Sequence, residues 1–373
     1  MKKTAKPAIL PADRLLSIDA LRGFDMFWIM GAEGIVHALK DATGWGWAVA
    51  ASTQLDHVQW NGFRLYDLIF PLFLFLSGVT MPFSFTRKLE KGVPKQTIYF
   101  DILRRGLLLV LLGCVYNGLL KFDFANQRYA SVLAQIGIAY MFAGFIFLNT
   151  KWKGQLAWVL GIVLAYWAAM KLIPVPGFGA GDLSREGSLV TWFDQHFLPG
   201  RFHEGIFDPE GLMVKVPATA TALLGALAGW WLKRADVNGS KKALYLLLAS
   251  AVAFLLAQLI DLSFPINKKL WSSSFVFQTA ACSGLLLAVF YLLIDVWKFK
   301  KWAFFFAVIG MNSITIYLST EIINFWHTAT FIFGGFATMA GEAWGKVILA
   351  TGVVALEWGF LYFLYVKKIF LKV

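Results

Sequence analysis

Long apolar runs separated by short Lys/Arg clusters decide most of what this chain can become. The stretch 244–260 contains no charged residue, and nine other segments of similar length are largely apolar. About 20 residues of helix cross the hydrocarbon core of a bilayer. Ten spans follow, at about 17–39, 66–86, 100–120, 130–149, 154–174, 214–233, 242–262, 272–295, 302–322 and 345–367. The stretch 324–343 is apolar but rich in Gly, Thr and Ala, and reads as an eleventh helix or a re-entrant segment. The expected fold is an all-α polytopic membrane protein.

Composition agrees. Apolar residues make up 58% and charged residues 15% of the 373 positions, against about 45–50% and 25% in an ordinary soluble domain. That excludes a disordered chain, a coiled coil and a disulfide-stapled module. The net charge of +12 does not point to nucleic acid, because the cations lie between apolar runs rather than on one basic face. Cys114 and Cys282 both sit inside apolar runs, so neither a disulfide framework nor a metal site is expected. The basic start, 1–16, lacks a signal-peptide core and reads as a cytosolic segment ahead of a retained first helix. With the N-terminus inside, about two thirds of the 34 Lys and Arg fall on the inner side. This predicts N-in, C-in and an even number of spans. Residues 17–373 then form one membrane domain, with two long outer loops at about 40–65 and 174–213 expected to pack as caps.

Several residues carry chemistry in this pattern. His57 lies just before the second span, and histidine suits proton transfer near neutral pH. Asp56 flanks it, and Asn61 could donate to a developing oxyanion; a loop histidine without a role accounts for the same placement. Asp67 opens the second span, either as an acid favoured at a helix N-terminus or as one facing a cavity mouth. Pro71, one turn further, is a candidate kink. In the first span Asp19, Arg22 and Asp25 share a face and can pair, whereas Glu33 has no local partner and is either a site or an interface residue. Arg104 and Arg105 begin the third span, as inner-side anchors or as a phosphate-binding pair. Asp208 and Glu210 end the second long loop; Asn267, Lys268 and Trp271 precede the eighth span; Asn312 lies in Gly310-Met311-Asn312-Ser313. Their convergence on one end of the bundle would make an outward-facing binding site. His196 and His203 match no metal motif.

Taken in order, Ser17-Ile18-Asp19-Ala20-Leu21-Arg22-Gly23, His57 to Gly62, Asp67 to Gly78, Asp208-Pro209-Glu210-Gly211, Asn267-Lys268-Lys269-Leu270-Trp271 and Gly310-Met311-Asn312-Ser313 resemble the heparan-α-glucosaminide N-acetyltransferase family, including its bacterial members. The ending Lys367-Lys368-Ile369-Phe370 is similar as well. The resemblance implies a polytopic enzyme, commonly a homodimer, that takes acetyl from cytosolic acetyl-CoA and delivers it to a glucosamine amine on the far side. The family's essential histidine, which precedes a Trp-Asn-Gly motif, maps to His57, and its acid before the Phe-Pro pair maps to Asp67. Lysosomal members carry Asn where this chain has Glu33, and have an additional N-terminal lumenal region and helix that this chain is expected to lack.

On that reading His57 is a general base or a transient acetyl acceptor, Asn61 an oxyanion donor, and Arg105 with Arg104 the CoA phosphate ligands. Glu33, Asp208, Glu210, Asn267, Lys268, Trp271 and Asn312 would line the acceptor site. No metal is needed, and the partners are an amino-sugar or glycan acceptor and the lipid bilayer. The expected place is a bacterial inner membrane, with the site open to the extracytoplasmic side. Two other readings stay open: an O-acyltransferase of surface glycans, and a secondary transporter for a small polar solute with Glu33 and Asp67 as coupling acids.

Overall fold

A computed structural model describes residues 15–371. Most of the expected cytosolic segment 1–16 therefore lies outside the described residues, as does Lys372.

Helices carry almost all of the architecture, and each of the ten expected spans falls on a helix or a broken helix. The first is α1 (Leu16–Phe27) joined to α2 (Glu33–Thr43) by a π-helical turn at Trp28–Ala32, where Gly31 has φ +110°. Helix α3 (Gly46–Gln54) follows. The second span, Leu65–Glu90, is a 3₁₀ turn (Leu65–Leu68), α4 (Ile69–Val79) and α5 (Met81–Glu90). Next come α6 (Lys95–Tyr116), α7 (Val132–Asn149) and α8 (Trp152–Leu172). Two short antiparallel strands, β1 (Pro174–Val175) and β2 (Gly179–Ala180), lead to α9 (Leu189–Phe197). The remainder is α10 (Lys215–Lys233), α11 (Gly239–Asp261), α12 (Ser273–Phe290), α13 (Ala303–Met311), α14 (Ser313–Ile322), α15 (Phe325–Met339) and α16 (Gly341–Val366).

Among the described residues six helices are long and apolar enough to cross a membrane: Leu65–Glu90, α7, α8, α11, α12 with its π-helical extension Tyr291–Val296, and α16. The pair α13 and α14, bent by 68° at Asn312, would make a seventh. The other expected spans fall short for visible reasons. The first is broken and carries Asp19, Arg22, Asp25 and Glu33; α6 carries Lys95, Asp101, Arg104 and Arg105; α10 is built largely from Ala, Gly and Thr. The stretch expected as an eleventh helix or re-entrant segment is helical, as α15, but only 15 residues long.

Two local expectations change. Pro71, the candidate kink, is the third residue of α4, in the first turn, where no N–H is required, and the second span runs on from Leu65 to Glu90. The long loops are partly regular: 40–65 contains the end of α2 and α3, and 174–213 contains β1, β2 and α9.

Close helix packing sets the frame for the site. On α10, Gly225 and Gly229 lie against the carbonyls of Phe75 and Val79, where a Cβ would stand 2.0 and 2.2 Å from oxygen. Gly78 of α4 meets the Ala222 carbonyl of α10 in the same way, at 1.9 Å. Small residues let backbones approach without a bulky interface, which replaces the hydrophobic drive missing between helices in lipid. Helix α10 is buried along much of its length and holds α4 in register with α7, α8 and α12.

Candidate active site

The 3₁₀ turn that opens the second span places the first acid. Asp67 is its third residue, and its Oδ2 accepts the N–H of Arg64 at 3.1 Å and of Val58 at 3.4 Å. It therefore caps the turn, as the bland sequence reading anticipates. Its Oδ1 does something further: it lies 2.7 Å from His57 Nδ1. Asp67 is fully buried while the His57 side chain is about half exposed (49%). With hydrogen on Nδ1 donated to the carboxylate, Nε2 is left as the basic atom at the surface of the pair.

A second loop brings in Lys268. The Asn267 side-chain carbonyl accepts the Leu270 N–H at 2.9 Å, and Ser272 caps α12 by accepting from Phe275 at 3.2 Å. This turn is tied to the His57 loop twice, by Gly62 N–H to Ile266 O at 2.8 Å and by Asn267 Nδ2 to Asn61 Oδ1 at 3.0 Å. Lys268 Nζ then stands 3.2 Å from His57 Nδ1, 3.3 Å from Nε2 and 3.7 Å from Asp67 Oδ1. Near-equal distances to both ring nitrogens put the ammonium over the ring rather than in its plane. Its acceptor is the carboxylate, since Nδ1 already donates. Burial pushes the Lys268 amine below the usual lysine range, with Asp67 opposing. Tyr66 packs on the other flank of His57, ring centroids 4.8 Å apart.

Beneath these groups lies a cavity of about 210 Å³. His57, Tyr66, Lys268 and Glu210 form its polar end; Phe70, Phe73 and Ile136 are among the apolar residues that continue it between the helices. Glu210 is held in place by Arg128, which also binds Asp208 through two contacts of 2.7 Å. Burial works against the Arg128 charge, but Asp208 and Glu210 prevail and hold its proton more tightly than usual.

At the opposite end of the second span, about 30 Å away at 1.5 Å per residue, the lining changes sign. Arg104, Arg105, Lys88 and Asp101 border a hollow of about 270 Å³. The Arg105 guanidinium covers the Tyr140 ring at 4.5 Å, and Lys88 pairs with Asp101 at 2.6 Å. A larger hollow of about 730 Å³, including Arg22, Arg87, Lys91 and Lys233, shares Ser84 and Lys88 with it. Arg22 pairs with Asp19 at 3.7 Å, and its guanidinium lies 6.0 Å from the ring of Phe73, which lines the His57 cavity.

Comparison with known proteins finds two distant similarities. The chain is 25% identical to the heparan-alpha-glucosaminide N-acetyltransferase of Mus musculus, over 85% of its own length and 56% of the mouse protein. It is 25% identical to the Homo sapiens enzyme of the same name, over 72% of its own length and 49% of the human protein. The chain is a distant relative of these acetyltransferases. It spans about half the length of the curated relatives it matches. No family model matches it.

Measured against the acetyltransferase resemblance, the sequence-expected site residues divide. His57, Lys268 and Glu210 meet at one cavity, and buried Asp67 backs His57. Asp208, Asn267 and Trp271 stand behind it: Trp271 is buried and donates its indole N–H to Thr221 at 3.2 Å, holding the turn that carries Lys268. Asn61 is exposed and joins the two loops. Glu33 opens α2, is half-buried, and is absent from the cavity lining. Asn312 does not join the group; its amide donates to the Ile369 carbonyl at 3.1 Å, tying the chain's end to the bend between α13 and α14. Among the described residues no group of three or more His, Cys, Asp or Glu forms a metal-holding set. Sequence reasoning missed Arg128, and Tyr66 and Tyr317 at the cavity. Arg128 lies outside every motif, and only the acids Asp208 and Glu210 across the fold mark it.

Proposed function

We propose that this chain is a membrane-embedded acetyltransferase that moves acetyl from acetyl-CoA to the amine of a glucosamine-type sugar. The observation that carries the reading is the 2.7 Å His57–Asp67 contact at the mouth of a cavity that runs into the bundle.

An amine must be unprotonated to attack a thioester. His57 Nε2 removes its proton, and Asp67 keeps the imidazole in the required tautomer and steadies the imidazolium that forms. Carbon–nitrogen bond formation makes an oxyanion; Lys268, beside His57, is the better placed cation to stabilise it, and Asn61 keeps the loops together. The carbon–sulfur bond then breaks, and the thiolate leaves with a proton returned through His57. A transient acetyl on Nε2 uses the same geometry and lets donor and acceptor bind at different times. The phosphates of coenzyme A suit the basic hollows around Arg104, Arg105, Lys88 and Arg22, with the pantetheine arm passing Phe73 toward His57. The charge bias favours N-in and C-in, with the basic hollows cytosolic and His57 extracytoplasmic in a bacterial inner membrane.

The test is acetyl transfer from labelled acetyl-CoA to glucosamine by purified protein, with mass spectrometry of product and protein. His57→Ala and Asp67→Asn should each lower the rate about 10²–10⁴-fold while the proteins remain folded. Acetyl on His57 before acceptor is added would select the covalent route. No transfer by folded wild type across a panel of amino sugars sinks the reading; retained coenzyme A binding would then indicate another acceptor.

A further inference from the structure

The His57 cavity and the larger basic hollow share two walls. On α1, Ile18, Asp19 and Arg22 line the hollow, while Met26, with Ile29 in the π-helical turn, lines the cavity. These positions recur at helical spacing and form one stripe of α1. The second span repeats the pattern. Ile69, Phe70 and Phe73 line the cavity, and Thr80, Phe83, Ser84 and Arg87 line the hollow. Phe73 and Thr80 lie about 10 Å apart along the helix, on one stripe again. Helix α1 packs along α4. Two chambers on one face of each of two packed helices are successive parts of one seam.

The seam is interrupted for about one turn. At the stripe positions between the chambers stand Asp25 on α1 and Leu76 and Ser77 on α4, all buried. The Ser77 hydroxyl is satisfied within its own helix, donating to the Leu74 carbonyl at 2.6 Å. Asp25 is not. It is 1% exposed, and its Oδ2 is buried with no hydrogen-bond partner among the described residues. One contact spans the interruption. The Arg22 guanidinium, in the wall of the hollow, lies 6.0 Å from the centre of the Phe73 ring, in the wall of the cavity. Asp19 pairs with Arg22 at 3.7 Å.

Charged groups inside an apolar bundle are costly, and so is a buried acceptor left unpaired. A ligand opens a closed passage only if it gains in the open state something that the closed state denies it. The unpaired Asp25 oxygen offers that gain to an N–H donor entering the seam, and the pantetheine arm of coenzyme A carries two amide N–H groups.

We propose that the two chambers are halves of one passage through the bundle, closed by the Arg22–Phe73 contact, and that the donor's pantetheine arm opens it by displacing that contact and donating an amide N–H to Asp25. The role of the arm rests on the acetyl-transfer reading. No covalent bond changes at the gate; the Phe73 ring turns aside and Arg22 keeps its charge and its pairing with Asp19. Without donor, the closure prevents the two chambers from joining into a leak for water and ions. With donor, the arm fills the passage that it opens.

Accessibility from the two faces tests this. Ile29→Cys in the cavity and Ser84→Cys in the hollow are made on a background of Cys114→Ser and Cys282→Ser, which removes the native thiols. A membrane-impermeant methanethiosulfonate is then applied to either face of vesicles holding the folded protein. With the contact intact, each position should react from one face only, and the two from opposite faces. Phe73→Ala should make position 29 react from the hollow side as well, at least about tenfold faster than with Phe73 present. Phe73→Tyr keeps the ring and should stay closed. Arg22→Gln is the second opening variant, for use if Phe73→Ala does not fold. Reaction of position 29 from both faces with Phe73 and Arg22 in place overturns the closure. Reaction from one face only in the folded opening variants overturns the part given to the contact. Acetyl-CoA added on the hollow side should slow the labelling of position 29. Asp25→Leu should raise the acetyl-CoA concentration needed about tenfold, whereas Asp25→Asn, which keeps an acceptor oxygen, should change it little. An equal requirement in Asp25→Leu overturns the part given to Asp25. If acetyl-CoA never protects position 29 while Phe73→Ala opens it, the acetyl-transfer reading fails and the gate stands.

Discussion

His57 takes its chemistry from neighbours that arrive from different parts of the chain. Asp67 comes ten residues later, through a turn it caps itself; Lys268 comes from a loop more than two hundred residues away. The lysine gives this site a signature in pH. Burial lowers the affinity of Lys268 for its proton, so the ammonium is lost at a lower pH than in an exposed lysine. A rate that depends on this ammonium is full below the lowered value and declines as pH rises through it. Lys268→Arg keeps its charge throughout and should carry activity to higher pH, whereas Lys268→Met should lower kcat and remove that alkaline limb. Rates measured between about pH 6 and 10.5 distinguish these outcomes; an unchanged alkaline limb in Lys268→Met would remove the lysine from the chemistry.

Among the elements, α4 is the one on which the site depends most. Its first residues follow directly on Asp67, and its far half is pressed on α10 through Gly78, Gly225 and Gly229. A side chain at Gly78 would push against the Ala222 backbone, which cannot move aside as a flexible side chain can. Gly78→Val should therefore cost at least the roughly 1–3 kcal/mol typical of overpacking and lower activity by shifting Asp67 relative to His57. Gly161 of α8 has open space where its Cβ would be, so Gly161→Ala should be neutral or stabilising by up to about 1 kcal/mol. Thermal unfolding in detergent, run on both variants, checks the contrast. Equal stabilities would show that the α4–α10 contact is not the constraint argued here.

At the scale of the molecule, the acidic and histidine-bearing end and the arginine-rich end are separated by the length of the Leu65–Glu90 span. On the proposed function, that separation lets a donor and an acceptor approach from opposite faces. Single cysteines at exposed Lys91 and Arg201, Lys91→Cys and Arg201→Cys, report it directly. In right-side-out vesicles a membrane-impermeant maleimide should label position 201 at once and position 91 only after permeabilisation. Labelling of both, or the reverse order, would overturn the N-in, C-in arrangement and the side to which His57 opens.

The apolar runs by themselves determined the helical membrane class and the approximate place of every long helix, because a bilayer demands about 20 apolar residues and internally satisfied backbone. The acids and the histidine next to span ends were also legible, since polarity stands out against such a background. What only the tertiary structure decided was partnership. Asp208 and Glu210 were visible, but not that Arg128 binds them; Lys268 was visible, but not that it rests over His57. Asn312 carried the same kind of signal, which did not show that its amide donates to the Ile369 carbonyl. Helical periodicity orients a side chain around one axis, but it cannot say which other helix stands opposite. That is set by close backbone approaches, such as Gly78 on Ala222, which no single segment encodes.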